Sequence, residues 1–263
     1  MSKRLRITVS HFVGWLADRR IPGFLRAPVY RIYARVTGAD LTEVRPPLRA
    51  YASLSAFFVR RLIDGARPLP EDPAAVASPV DGTLQALGNV TEGSLLQAKG
   101  HAYEVRELLG GLGEQVDLKG ATSWTIYLSP RDYHRIHAPV DCRMTAVRWI
   151  PGDRHSVQPK VLARRRVFPI NERCVLLLES AHGPFFLVLV GALNVGRIRV
   201  LGVEPGRQGE LAQPQSFARG EELARFEMGS TILLIAPRGQ ASPLPDFPQG
   251  TRILLGQSIG HWD

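Results

Sequence analysis

The sequence predicts an α+β protein, with N-terminal amphipathic helices followed by a mainly antiparallel β sandwich or barrel core. Two observations lead there. Apolar side chains recur at helical spacing through the first part of the chain, and from Ser78 onward short β-type runs alternate with turn residues. A third observation sets the division. The formal net charge of +9 is carried entirely by residues 1–67, and the rest of the chain balances to zero. We therefore expect a basic helical region, residues 1–67, and a β-rich catalytic domain, residues 68–263.

Taken in order, Phe12, Trp15 and Leu16 share one face of a first helix. After the Pro22-Gly23 break, Val29, Ile32, Tyr33 and Val36 repeat the pattern, with Pro28 expected in the first turn and Gly38 as the stop. Arg31 and Arg35 lie off that stripe. A third helix is expected from Ser53 to Ile63, carrying Leu54, Phe57, Phe58 and Leu62. Most amphipathic helices pack on their own core. Basic ones with aromatic residues on the apolar side also suit a membrane interface, and we expect the first one or two helices to touch lipid. No nucleic-acid-binding motif accompanies the charge, so an anionic membrane surface is the expected partner and nucleic acid is not.

The Pro- and Ala-rich stretch 65–77 reads as a link. Strands are expected over Trp124–Leu128, Met144–Ile150, Cys174–Leu178, Phe185–Val190, Val195–Leu201, Thr231–Ala236 and Arg252–Leu255. Residues 204–222 and 237–250 read as polar or proline-rich connections. Gly110-Gly111-Leu112-Gly113 lacks the lysine and the strand–helix context of a phosphate loop. At 263 residues the chain can bury one substantial core. Cys142 and Cys174 have neither metal-type spacing nor a disulfide framework, which suits a reducing compartment. With no long apolar run and no signal-peptide pattern at the start, the expectation is a protein of the cytosolic side.

Three segments carry reactive groups. Ser78-Pro79-Val80-Asp81-Gly82 is a turn before a strand, and Asp81 alone is most often a turn-former. Residues 128–141 crowd Asp132, Tyr133, His134 and His137 into one loop between strands. Gly229-Ser230 sits where a loop enters an apolar strand, and a glycine carbonyl, free of a Cβ, is open to the neighbouring hydroxyl. His134-x-x-His137 has no third ligand at telling spacing, so no metal is expected. An acid, a base and a hydroxyl fit better: Asp81 orienting a histidine that deprotonates Ser230. Read this way, the residues suit a membrane-associated serine hydrolase as well as a self-cleaving chain, although no Gly-x-Ser-x-Gly elbow surrounds Ser230. A non-enzymatic membrane adaptor with an inert Gly-Ser turn is the third reading.

Together these segments resemble phosphatidylserine decarboxylase, a pyruvoyl-dependent family of membrane enzymes. The resemblance runs through Phe57-Phe58-x-Arg60, Gly65-Ala66-Arg67-Pro68, Ser78-Pro79-Val80-Asp81-Gly82 and Gln97-Ala98-Lys99-Gly100. It continues through Asp132-Tyr133-His134-Arg135-Ile136-His137-x-Pro139, Asn171-Glu172-Arg173, Val190-Gly191-Ala192, and Gly220-Glu221-Glu222 to Met228-Gly229-Ser230-Thr231. Met228, Ala224 and Cys142 depart from residues common in the family, and none of these bears on the reactive groups.

The resemblance implies a proenzyme cut between Gly229 and Ser230 by a triad of Asp81, His137 and Ser230, with Ser230 becoming a covalent pyruvoyl cofactor. It assigns His134 to decarboxylation. The pyruvoyl carbonyl would form a Schiff base with phosphatidylserine and yield phosphatidylethanolamine and CO2. The large chain, 1–229, and the small chain, 230–263, would stay together as a heterodimer, with a dimer of heterodimers as an open higher assembly. The implied location is peripheral, on the cytoplasmic face of the cell membrane.

Overall fold

The computed structural model describes residues 3–98, 101–192, 197–227, 230–245 and 247–263. Two long helices come first, α1 (Lys3–Ala17) and α2 (Gly23–Thr37), then the short α3 (Leu54–Phe58). The next elements are β1 (Ala75–Ala77), β2 (Gly82–Asn89), the antiparallel pair β3 (Ser94–Ala98) and β4 (His101–Glu104), and α4 (Val105–Leu109). β5 (Thr122–Leu128), β6 (Arg135–His137), β7 (Cys142–Ile150), α5 (Pro159–Leu162), β8 (Arg173–Ser180) and β9 (Gly183–Val190) follow. The chain ends with β10 (Ile198–Val200), β11 (Gln208–Phe217), β12 (Glu222–Phe226), β13 (Ser230–Ala236), β14 (Ala241–Pro243), β15 (Arg252–Ile253) and β16 (Ser258–Trp262).

The frame is an eight-stranded sheet in the order β11-β7-β8-β9-β13-β5-β2-β15, antiparallel at every step. One face, with Ile126, Leu176, Leu187, Ile232 and Leu234, packs beneath two three-stranded sheets, β1-β16-β14 and β10-β12-β6. The opposite face, with Val175, Phe186, Val188, Leu233 and Ile235, is covered by Tyr103, Leu108, Leu162 and Phe168. β13 thus has strands on both edges and cores on both faces, and all seven of its residues are buried. That is why it reads as an unbroken apolar run rather than an alternation.

The fold class is as expected, and the differences lie in the elements. The third helix ends at Phe58, not Ile63, although Ser53 caps it by accepting from the Ala56 N–H at 3.2 Å. Val59 leaves helical geometry, Arg60 turns inward to the Arg131 and Asp132 carbonyls, and Leu62 bridges to Val44. α2 starts early enough that Pro28 lies inside it, while Gly38 closes it in the left-handed conformation at φ 80°. The expected connection 204–222 contains β11, an edge strand paired only with β7 and mostly exposed, so no apolar alternation announced it. The second expected connection, 237–250, contains β14. Of the expected strand Val195–Leu201, the observed part is Ile198–Val200, and residues 193–196 lie outside the described residues.

The N-terminal region has a small core of its own around Tyr30, Val44 and Phe57. Ion pairs from α1 or its end, Arg6 to Asp153 and Asp18 to Arg197, together with Tyr33 Oη donating to the Pro130 carbonyl, fasten it to the β-rich part. No helix among the described residues is long and apolar enough to cross a membrane.

Candidate active site

Sheet pairing brings the three sequence segments to one place. β2 and β13 both run antiparallel to β5, one on each side, so their first residues flank the last turn of β5. Thr83 is opposite Tyr127, and Ser230 is opposite Leu128. Two strand spacings therefore separate the Asp81 side from Ser230, roughly 10 Å. Gly82 is needed for this approach: a Cβ there would lie 2.6 Å from the Tyr127 carbonyl oxygen.

The histidine loop closes over the same end. Residues 129–134 lead out of β5 into β6, which pairs with β12, the strand before the Gly229-Ser230 segment. The Phe226 N–H donates to the His134 carbonyl at 3.0 Å, and the His137 N–H to the Pro79 carbonyl at 2.9 Å. Asp132 braces the loop by accepting from the Ser129 N–H and hydroxyl at 2.7 and 2.6 Å. Met228 and Gly229 lie outside the described residues. On their near side Glu227 is ion-paired with Arg197, and on their far side the chain enters β13.

The side chains are arranged differently from the expected triad. Asp81 takes a bidentate ion pair from Arg67, at 2.8 and 2.7 Å, and its Oδ1 also accepts from the Leu255 N–H at 2.8 Å. No hydrogen bond joins it to His137. Arg67 uses its other edge on Glu43 in the N-terminal region. Burial lowers the Arg67 pKa, but its two carboxylate partners outweigh that and raise it overall. The Asp81 charge therefore reaches His137 through space rather than by contact.

His137 is engaged at both nitrogens. Nδ1 faces the Gly220 carbonyl at 2.8 Å, which can only accept, so Nδ1 carries the hydrogen and Nε2 the lone pair. The Tyr133 hydroxyl donates to Nε2 at 3.2 Å. Burial lowers the His137 pKa, against the opposing pull of the Gly220 carbonyl, and burial also pushes the Tyr133 hydroxyl up to about 12.

His134 is fully buried beneath Phe58, with ring centroids 4.1 Å apart. Its Nδ1–H donates to the Asp132 carbonyl at 2.9 Å, which leaves a basic Nε2 with no partner among the described residues. Burial pushes its pKa down to about 3, the Asp132 carbonyl acts against that, and the charge of Arg60 adds to it. His134 is thus a neutral imidazole at any ordinary pH. Ser230 is fully buried too, and its Oγ has no partner among the described residues.

Strand pairing thus brings the segments carrying Asp81, His134, His137 and Ser230 to one sheet end, without a hydrogen bond among those side chains. Sequence reasoning gave no role to Tyr133, Arg67 or Gly220, the groups that hold His137 and Asp81. All three stand inside the quoted motifs, but Arg67 meets Glu43 and Asp81, and Gly220 meets His137, across separate segments, and residue type alone does not announce the Tyr133–His137 contact.

Comparisons with known proteins identify the family. The family model described as phosphatidylserine decarboxylase matches residues 54–261, from the start of α3 to near the end of β16. A relative from Halorhodospira halophila named phosphatidylserine decarboxylase proenzyme is 40% identical over 255 residues, covering 94% of this chain and 87% of that protein. Relatives of the same name from Acidovorax ebreus and Coxiella burnetii are each 38% identical, over 96% of this chain and 93% of theirs. With the family's motifs converging at the start of β13 and its match spanning most of the chain, the protein belongs to the phosphatidylserine decarboxylase family of carboxy-lyases.

Proposed function

We propose that the chain is a proenzyme that cuts itself between Gly229 and Ser230 and then converts phosphatidylserine to phosphatidylethanolamine and CO2. The observation that carries this reading is the Ser230 hydroxyl: fully buried, without a partner among the described residues, and first in the central strand. A buried hydroxyl left without a partner is costly, which argues for a role other than stability.

The cut is an intramolecular acyl shift. A histidine takes the Ser230 Oγ proton, and Oγ bonds to the Gly229 carbonyl carbon as the Gly229–Ser230 C–N bond breaks, giving an ester and a free amine. Loss of the Ser230 Cα proton then expels the Gly229 carboxylate and leaves dehydroalanine. One water converts that to a pyruvoyl group with release of ammonia. The pyruvoyl group supplies an electrophilic carbonyl that takes the substrate amine and accepts the electron pair left when CO2 departs.

Residues of the chain do the rest. His137 is the proposed base for the cut, with Gly220 fixing the tautomer that puts the lone pair on Nε2. Tyr133 must release that nitrogen for it to act. Asp81, anchored by Arg67, favours the imidazolium that forms. His134, with an Nε2 lone pair that has no partner among the described residues, is the proposed group for decarboxylation, either steering the carboxylate or returning the proton. The small chain stays attached because it contributes β13 at the centre of the large sheet, β15 at its edge, and β14 and β16 to a second sheet.

The pH dependence follows. The base must be unprotonated, and the His137 pKa lies below the usual 6.5. The cleavage rate, read as fragment appearance, should therefore be flat around neutrality and fall as the pH drops through that lowered value. Cleavage that accelerated on acidification would remove His137 from the role of base.

A two-chain lipid substrate requires docking at a bilayer, and the exposed residues suit it. Phe12, Trp15 and Leu16 on α1 and Phe24, Ile32 and Val36 on α2 are all exposed, with Arg19, Arg20, Arg31 and Arg35 exposed beside them. Each basic residue near an anionic surface contributes about 1 kcal/mol, weakened by salt. Replacing Phe12, Trp15 and Phe24 by serine should abolish flotation with phosphatidylserine vesicles and leave the fold intact, since exposed substitutions usually shift stability by about 0.5 kcal/mol or less. Undiminished flotation would place the docking surface elsewhere.

A further inference from the structure

Arg60 is an interior cation with spare donors. Its side chain is only 3% exposed, and Nη2 donates to the backbone carbonyls of Arg131 at 2.8 Å and Asp132 at 3.3 Å. Nε and Nη1, both buried, have no hydrogen-bond partner among the described residues. Neither Asp132 nor Asp81 is hydrogen-bonded to it through its carboxylate: Asp132 Oδ2 is committed to Ser129, its Oδ1 has no hydrogen-bond partner among the described residues, and Asp81 is committed to Arg67 and Leu255. The aromatic ring of Phe57 lies 5.4 Å from the guanidinium carbon, which does not satisfy an in-plane N–H. A buried guanidinium with unused donors and no hydrogen-bonded carboxylate is a receptor for an oxyanion.

Its position says which oxyanion. The Asp132 carbonyl that accepts from Arg60 also accepts from His134 Nδ1–H, so guanidinium and imidazole are neighbours across a single oxygen. In phosphatidylserine the phosphorus lies three bonds from the carbon that carries both the amine and the departing carboxylate. The headgroup offers two oxyanions within that reach, the carboxylate and the phosphodiester. A guanidinium on the carboxylate would hold the charge that is lost as CO2 leaves and so raise the barrier. The phosphodiester keeps its charge from substrate to product. We infer that Arg60, through its unused N–H donors, binds the headgroup phosphodiester beside His134. The inference rests on the proposed decarboxylation of phosphatidylserine.

The test uses the processed enzyme with two water-soluble inhibitors of decarboxylation. Glycerophosphoethanolamine carries only the phosphodiester, and glycerophosphoserine carries both anions. In Arg60→Gln we expect the cut at 229/230 to persist by intact mass, while the inhibition constants of both compounds rise in parallel by tenfold or more. Arg60→Lys, with the charge but not the fork, should fall between Arg60→Gln and the parent. A loss confined to glycerophosphoserine would assign Arg60 to the carboxylate and overturn the inference. Unchanged constants for both would remove the anion site altogether. Chains left uncut in both variants would place Arg60 in folding or processing and equally overturn it. Failure of the underlying reading would show separately, as a parent enzyme that neither splits nor releases CO2.

Discussion

Ser230→Ala yields one uncut chain of 263 residues with no decarboxylase activity. The expected loss is complete because the hydroxyl supplies the attacking oxygen of the cut, and the ketone arises from the same residue. The substitution separates chemistry from folding unusually well. The Oγ is buried and makes no hydrogen bond among the described residues, so removing it leaves no partner unsatisfied. Alanine fits wherever serine does, and the pairing of β13 with β5 and β9 uses backbone groups alone. The variant should therefore unfold at the parent's denaturant midpoint or above it. Two normal fragments from Ser230→Ala would rule out the self-cleavage chemistry.

His134→Ala is the second large effect, and it should separate the two reactions. If His134 serves decarboxylation, the variant still divides at 229/230 but turns over phosphatidylserine more slowly by about 10²-fold or more, the usual scale for removing a general acid or base. One observation favours a different division of labour. His134 Nε2 carries a lone pair and has no partner among the described residues, whereas the corresponding nitrogen of His137 already accepts from Tyr133. Were His134 the base that activates Ser230, His134→Ala would remain uncut. Intact mass of the purified variant distinguishes the two outcomes before any activity is measured.

Much of the architecture was legible in the sequence because it rests on local pattern. The apolar run Thr231–Ala236 belongs to a strand buried on both faces, and Gly38 ends α2 in a conformation that glycine adopts freely. What stayed hidden depends on distant partners. β11 is an edge strand with little burial, so its pairing with β7 leaves almost no mark on composition. The helix expected to reach Ile63 stops at Phe58, where Arg60 turns toward carbonyls 71 and 72 positions away.

The site shows the same division. Motif order brought Asp81, His134, His137 and Ser230 onto one list, and strand pairing does bring their segments to one end of β5. Their hydrogen bonds could not be read in the same way. Asp81 is bound to Arg67, 14 positions away, and to the backbone of Leu255, 174 away. The His137 tautomer is set by the Gly220 carbonyl, 83 positions on. Such contacts are settled by packing, and a residue's type does not announce them.

The central claim is that this chain makes its own carbonyl cofactor from Ser230, and the mass of the active purified protein tests it most directly. The account predicts two polypeptides, residues 1–229 and a 34-residue partner, 230–263, whose first residue is lighter than an N-terminal serine by one ammonia. A preparation that releases CO2 from phosphatidylserine while showing only the mass of the uncut 263-residue chain would contradict it.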